Sequence, residues 1–133
     1  MTAAPIVEEV FDQLRITRRK TAFPNGILYF CTGADGQTFD AFLAADETIR
    51  LWRFIAACPM ENAGTRIELR KPQDPYPAFV LEINEEGELF FRAEGLCDPD
   101  DPDRLRKTQE LVRTFSETEI RPETVIPWFI AVS

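Results

Sequence analysis

The segment that most constrains the fold is residues 79–92, FVLEINEEGELFFR, because it has the pattern of a β-hairpin. Its two arms alternate apolar side chains with other residues on either side of the turn NEEG, whose glycine allows the positive φ that short hairpin turns often need. The large apolar residues that share one face are Phe79, Leu81, Ile83, Leu89 and Phe91. Burying each of them is worth ~1.5–3 kcal/mol, so other parts of the chain must cover this face.

Two amphipathic segments near the chain ends are the predicted cover. Residues 5–15 place Val7, Val10 and Phe11 at helical spacing, and Pro5 suits the first helical position. Residues 105–115 form a second predicted helix, with Asp101 as its N-cap and Pro102 at its first position. The apolar stripe of that helix consists of Leu105, Thr108, Leu111, Val112 and Phe115.

Short strands are predicted between these helices. Residues 27–31 and 38–43 flank a turn that contains Asp-Gly, which indicates a second hairpin, and residues 66–70 alternate like a short strand. Residues 16–23 either extend the first helix or begin a strand. Residues 71–77 form a proline-rich loop, since proline suits neither a helix interior nor a central strand.

Residues 48–58, TIRLWRFIAAC, allow two interpretations. As a helix capped by Asp46, the segment places Arg50 and Arg53 in one narrow sector, opposite a wide apolar one. As a strand, it has favourable β-branched and aromatic residues, although the two arginines fall on opposite faces. We favour a strand that continues the second hairpin into a three-strand meander.

The order of elements predicts one α+β domain over residues 1–133. We expect an antiparallel sheet of five to six strands, with an N-terminal and a C-terminal helix covering one face. After the second helix, Pro122 and Pro127 predict an extended tail rather than a helix. This apolar tail must dock on its own domain or on another molecule, for example as a strand at a sheet edge.

Charge and cysteine content limit the partners and the compartment. The formal charge is −8, with 23 acidic against 15 basic residues, so nucleic acid and anionic membrane surfaces are unfavourable partners. No apolar run approaches the ~20 residues that a membrane span needs, and no segment resembles a signal peptide. The three cysteines are far apart and form no CxxC pair, which fits reduced thiols in a cytoplasmic protein.

The absence of histidine excludes several kinds of catalytic and metal site. Serine–histidine and cysteine–histidine catalysis and histidine metal ligands all require it. The aspartates of the segment DPDDPD at residues 98–103 could serve as cation ligands. The segment lacks the glycine and the distal glutamate of a calcium loop. We expect them to shape a loop and cap a helix, and we expect no metal and no cofactor.

Aromatic residues and arginines are the better candidates for recognition, because these types anchor protein interfaces. The candidates are Trp52, Arg50, Arg53, Trp128, Phe129 and Ile130. For Trp52 the alternative is an ordinary place in the core. For the tail residues the case is stronger, because terminal segments are usually loose unless they bind something.

Three segments resemble the YbjN family and, more distantly, type III secretion chaperones. They are VFDQLRITRRKTAFPNGILYF at 10–30, AFVLEINEEGELFFRAEG at 78–95 and LRKTQELVRTF at 105–115. The resemblance implies an N-terminal helix, a strand meander, a hairpin and a C-terminal helix, and it implies binding rather than chemistry. That fold has a helix between the meander and the last hairpin, where this chain has a strand and a proline loop.

Two functions follow as hypotheses. The first is a non-enzymatic cytoplasmic domain, chaperone-like or an adaptor, that binds another protein or forms a homodimer. The second is a small-molecule-binding protein or an enzyme that uses carboxylates and arginines in a curved-sheet pocket. A flat apolar patch favours the first, whereas a pocket with acids and Arg50, Arg53 or Arg66 favours the second.

Overall fold

The computed structural model describes residues 3–69 and 78–132, with backbone only for residues 78 and 130–132. These residues contain three α-helices, seven strands and a short 3-10 helix at Met60–Asn62. The α-helices and strands are α1 Ala4–Gln13, β1 Thr17–Phe23, β2 Gly26–Thr32, β3 Thr38–Ala44, β4 Thr48–Ala57, β5 Arg66–Leu69, β6 Ala78–Ile83, β7 Glu88–Leu96, α2 Arg104–Glu117 and α3 Pro122–Val132. The predicted proline-rich loop at residues 71–77 lies outside the described residues.

All seven strands belong to one antiparallel sheet in the order β1-β2-β3-β4-β7-β6-β5. The predicted α+β class and the helices near both chain ends are confirmed. The sheet has seven strands rather than the predicted five to six, because residues 17–23 form a strand. The favoured interpretation of residues 48–58 is also confirmed, since β4 is the central strand.

The end of α1 explains why residues 17–23 leave the helical path. Arg15 has a left-handed φ of 57°, and the Ile16 N–H donates to the Phe11 carbonyl oxygen at 2.8 Å. Such a bond closes the last turn of a helix and satisfies one of its free carbonyls. The chain therefore turns after Leu14, and β1 begins at Thr17.

The hydrophobic core lies between the helices and one face of the sheet. Leu81, Ile83, Leu89 and Phe91 are all fully buried there, as the hairpin pattern predicts. The Phe91 ring stacks on Phe115 of α2, with ring centroids 4.6 Å apart and an interplanar angle of 3°. The predicted packing of the hairpin face against the second helix is thus confirmed.

The predicted start of α2 is wrong by two residues. The helix begins at Arg104, and Asp103 at the N-cap position makes no side-chain cap bond. Asp101 instead accepts a hydrogen bond from the Asp103 N–H at 2.8 Å. It also forms an ion pair with Lys107 at 2.5 Å. The aspartate favours a local turn because its short side chain bonds the amide two residues ahead.

The prediction of an extended tail is also wrong, because residues 122–132 form α3 with Pro127 inside it. Proline removes one amide donor and crowds the preceding turn, which is costly in a helix interior. Val125 and Phe129, four residues apart, both belong to the buried core. The burial of this stripe offsets the proline, whereas an extended chain would place the two residues far apart.

We expect Gly87→Ala, in the turn between β6 and β7, to lower the stability of the protein more than Gly36→Ala, in the turn between β2 and β3. Both glycines have positive φ, 78° and 85°, so both variants carry the backbone cost of ~1–2 kcal/mol. At Gly87 the added Cβ would also lie 2.9 Å from the Cys58 oxygen and from the Met60 sulfur, while at Gly36 nothing lies within 4 Å. This overlap adds a further ~1–3 kcal/mol. Urea midpoints test the difference, and equal losses would contradict it.

Candidate functional site

The sheet has a second face, opposite the helices, which we call the open face. Strand register assigns its side chains, because those of successive residues point to opposite faces. Five aromatic residues on four neighbouring strands form what we call the aromatic patch. Its members are Phe30 of β2, Phe42 of β3, Trp52 and Phe54 of β4, and Phe90 of β7.

The aromatic patch is accessible to solvent. Phe30 and Phe54 are 45% and 53% exposed, and the other three rings are half-buried. Phe54 and Phe90 contact each other edge to face, with centroids 5.7 Å apart. Exposed aromatic side chains gathered on one face of a sheet often mark a binding site, because leaving them in water is unfavourable.

The charges around the aromatic patch are paired within the chain. Arg50 contacts Glu94 at 3.7 Å, and Arg92 contacts Glu82 at 2.5 Å. At the β5 edge, Arg66 contacts Glu68 at 3.4 Å. These exposed pairs add little stability. Their effect is that the open face presents balanced charge, although the whole chain carries −8.

Asp40 and Trp52 lie opposite each other on β3 and β4. Burial raises the pKa of the Asp40 carboxyl, and a hydrogen bond from the Trp52 side chain opposes that rise. Trp52 is half-buried and belongs to the open face, so it is not part of the core beneath the helices.

Arg53 lies on the covered face, as expected for a residue next to Trp52 on a strand. Its Nη1 donates to the Thr118 carbonyl oxygen at 3.1 Å and its Nε to the Thr38 oxygen at 3.3 Å. Its guanidinium also lies 5.4 Å from the Phe115 ring centroid, and burial lowers its pKa. Nη2 is buried without a hydrogen-bond partner among the described residues. Arg53 thus joins the end of α2 to the sheet, away from Arg50.

The tail candidates lie in the helix layer, on the other side of the sheet from the aromatic patch. Phe129 is fully buried in the core, while Trp128 is 44% exposed. The side chain of Ile130 lies outside the described residues. Among the predicted binding residues whose side chains the structure describes, Arg50 and Trp52 are the two that lie together on the open face.

No protein-family model matches the chain, and no curated protein and no solved structure matches it. The site must be judged from its own chemistry. The resemblance to the YbjN family and to secretion chaperones stays a prediction.

The sequence interpretation missed four members of the aromatic patch: Phe30, Phe42, Phe54 and Phe90. A signal for them exists, because several strands carry large apolar residues at adjacent positions, as in LFF at 89–91. Adjacent strand residues point to opposite faces, so such runs indicate apolar surface on both faces. Choosing which face the helices cover requires the three-dimensional arrangement.

A cleft of about 470 Å³ lies at one end of β1, β2 and β3. Its lining includes Arg18, Arg19 and Asp40, together with Phe30 at the border of the aromatic patch. Arg18 is already engaged, since it contacts Asp12 of α1 at 2.5 Å. Neither Arg50, Arg53 nor Arg66 lines this cleft, so it differs from the pocket that a small-molecule function predicts.

The three cysteines are poor candidates for a catalytic nucleophile. Burial raises the pKa of Cys31 to about 12 and also raises the pKa values of Cys58 and Cys97. All three are free and protonated at neutral pH, so they are weak nucleophiles.

In residues 3–69 and 78–132, no three acidic or cysteine side chains gather as a metal site would require. Within the same ranges, no helix is long and apolar enough to cross a membrane.

Proposed function

We propose that the protein is a non-enzymatic, cytoplasmic domain that binds another protein through its open face. The observation that carries this proposal is the aromatic patch, because Phe30 and Phe54 are strongly exposed on the same face of the sheet as Trp52. Tryptophan, other aromatic residues and arginine are the types that anchor protein interfaces. Arg50 and Arg92 stand beside these rings on β4 and β7.

The remaining features agree with an adaptor or chaperone-like role. The patch spreads over four neighbouring strands, with Phe30 alone of its members lining the cleft, and such a surface suits a protein better than a small ligand. Three free thiols are suited to a reducing compartment. The alternative is a small-molecule-binding protein or an enzyme. The cleft at Arg19 and Asp40 supports it, and we place it second.

We expect Phe54→Lys to abolish binding, because the new charge would have to be desolvated at the centre of the interface. Tagged wild-type protein and the variant would be recovered from the native cell, and their co-purified proteins quantified by mass spectrometry. Trp128→Lys is the matched control, since Trp128 is also exposed but lies on α3 in the helix layer.

Recovery should fall by at least about tenfold for Phe54→Lys, which corresponds to a loss of ~1.4 kcal/mol. It should remain unchanged for Trp128→Lys. If instead the control loses the co-purified proteins and Phe54→Lys retains them, the binding surface is the helix layer, and the proposal is wrong. Further copies of this same chain are counted separately from other proteins.

A further inference from the structure

One row of side chains crosses the open face from edge to edge. Each member is paired with the next by the strand register, so the row is continuous over all seven strands. In spatial order it consists of Arg19, Phe30, Asp40, Trp52, Arg92, Val80 and Glu68.

Positions at equal distances on either side of the centre of the row match each other, either as opposite charges or as two apolar residues. Trp52 lies at its centre, because β4 has three strands on each side. One strand away, Asp40 and Arg92 carry opposite charges. Two strands away, Phe30 and Val80 are both apolar, and three strands away Arg19 and Glu68 again carry opposite charges.

We propose that a second copy of this chain binds the open face, around a twofold axis that runs parallel to β4. This inference rests on the proposed function, because it requires the open face to be a binding surface. The axis lays β3 of one copy over β7 of the other. Asp40 of each copy then faces Arg92 of the second copy, and the two Trp52 side chains meet at the axis.

The same row disfavours a perpendicular twofold axis that crosses the strands at Trp52. An axis in the interface but perpendicular to the strands lays every strand over its own copy. Asp40 would then oppose Asp40, and Arg92 would oppose Arg92. Like charges placed together in an interface weaken binding. The axis along β4 opposes like charges at one position of the described open face, where Arg50, paired with Glu94 at 3.7 Å, meets Arg50 of the second copy.

Sheet twist leaves this pairing intact near the centre. Facing sheets pack with their strands rotated by about 30°. Asp40 and Arg92 lie one strand from the axis, at ~4.8 Å, so this rotation displaces them by only a few ångströms. Arg19 and Glu68 at the edges are displaced further. The pairing of Asp40 with Arg92 is therefore the part of the row that decides the arrangement.

The open face is large enough for a stable dimer. Seven strands at ~4.8 Å spacing span ~34 Å, and three rows of side chains at ~6.8 Å span ~20 Å. Each copy thus contributes roughly 700 Å², or roughly 1,400 Å² in total, within the usual range for specific complexes. Val80 is buried already and contributes an uncharged position rather than area.

Electrostatics also favour a second copy on this face over other contacts. Two chains of charge −8 repel each other over most of their surface. On the open face, Arg50 and Arg92 are each paired with an acid, so close approach there meets little net charge. The β1 edge, in contrast, carries Arg18, Arg19 and Lys20, and such charges discourage the addition of another strand.

The test exchanges the two central charges. Asp40→Arg leaves two positive positions beside Trp52, and Arg92→Asp leaves two negative ones. Each variant alone opposes like charges across the axis, so its dimer dissociation constant should rise at least about tenfold above that of the wild type. In an equimolar mixture, every reversed charge faces an opposite one, and the heterodimer should form. Sedimentation velocity on wild type, each variant and the mixture measures the masses.

Two controls separate the interface from the fold. The chain that carries both substitutions, Asp40→Arg with Arg92→Asp, should dimerise by itself, because the exchange restores complementarity. Recovery in the mixture uses the same two chains that fail alone, so loss of folding cannot produce it, and melting curves check each variant. Trp128→Ala, in the helix layer, should leave the dimer unchanged.

Several outcomes would overturn the inference. A monomeric wild type excludes a second copy but leaves open-face binding to another protein, which the Phe54→Lys experiment judges separately. A dimer that neither variant weakens lies on another surface. Variants that stay monomeric when mixed show that Asp40 and Arg92 do not face each other.

Discussion

Phe91→Ala should lower the free energy of unfolding by ~3–5 kcal/mol, as expected when a buried phenylalanine is truncated. The ring is fully buried on β7, where it stacks on Phe115 at 4.6 Å and on Phe79 at 6.2 Å. The substitution removes the contact that joins the hairpin to α2 and leaves a cavity between them. Urea denaturation followed by circular dichroism measures the loss.

Phe54→Ala is the matched control for this prediction. It removes the same ring from the neighbouring strand, but Phe54 lies on the open face and is 53% exposed. Its cost should stay below ~1 kcal/mol, because little buried surface is lost. If the two variants lose equal stability, the helices do not cover the face that carries Phe91.

The second large effect is expected at the C-terminal helix. Phe129→Ala should cost ~3–5 kcal/mol, because this side chain is fully buried and lies one helical turn from buried Val125. Trp128→Ala should cost under ~1 kcal/mol, since Trp128 is itself 44% exposed. Deleting residues 126–133 removes Phe129 as well and should destabilise the domain at least as much.

Thermal and urea unfolding of the two point variants test this contrast directly. The two residues are adjacent on one helix, so the difference in stability loss reports chiefly how deeply each side chain is buried. A tail that could be deleted without any change in midpoint would show that α3 does not contribute to the core.

Local patterns were sufficient for most of the secondary structure. The alternation in residues 79–92 predicted the central hairpin, and the apolar stripe ending at Phe115 predicted its helical cover. Asp-Gly marked the turn between β2 and β3. These predictions succeeded because hairpin turns and amphipathic periods depend on neighbours a few residues apart.

The proposed binding surface was only partly predictable from residue type. Trp52 and Arg50 were identified by residue type, and they lie together on the open face. Arg53 was identified in the same way, but it joins α2 to the sheet through Thr118. Residue type alone does not separate these roles, because each depends on which face of β4 the helices cover.

The sequence by itself determined an α+β domain with a central antiparallel hairpin and helices near both chain ends, since these follow from periodicity and turn chemistry. The tertiary structure decided the conformation of the tail, because the burial of Val125 and Phe129 offsets the cost of Pro127 in a helix. It also decided which aromatic residues remain in water. Strands apolar on both faces can be covered on either, and only the packing of all three helices on one side leaves Phe30 and Phe54 exposed.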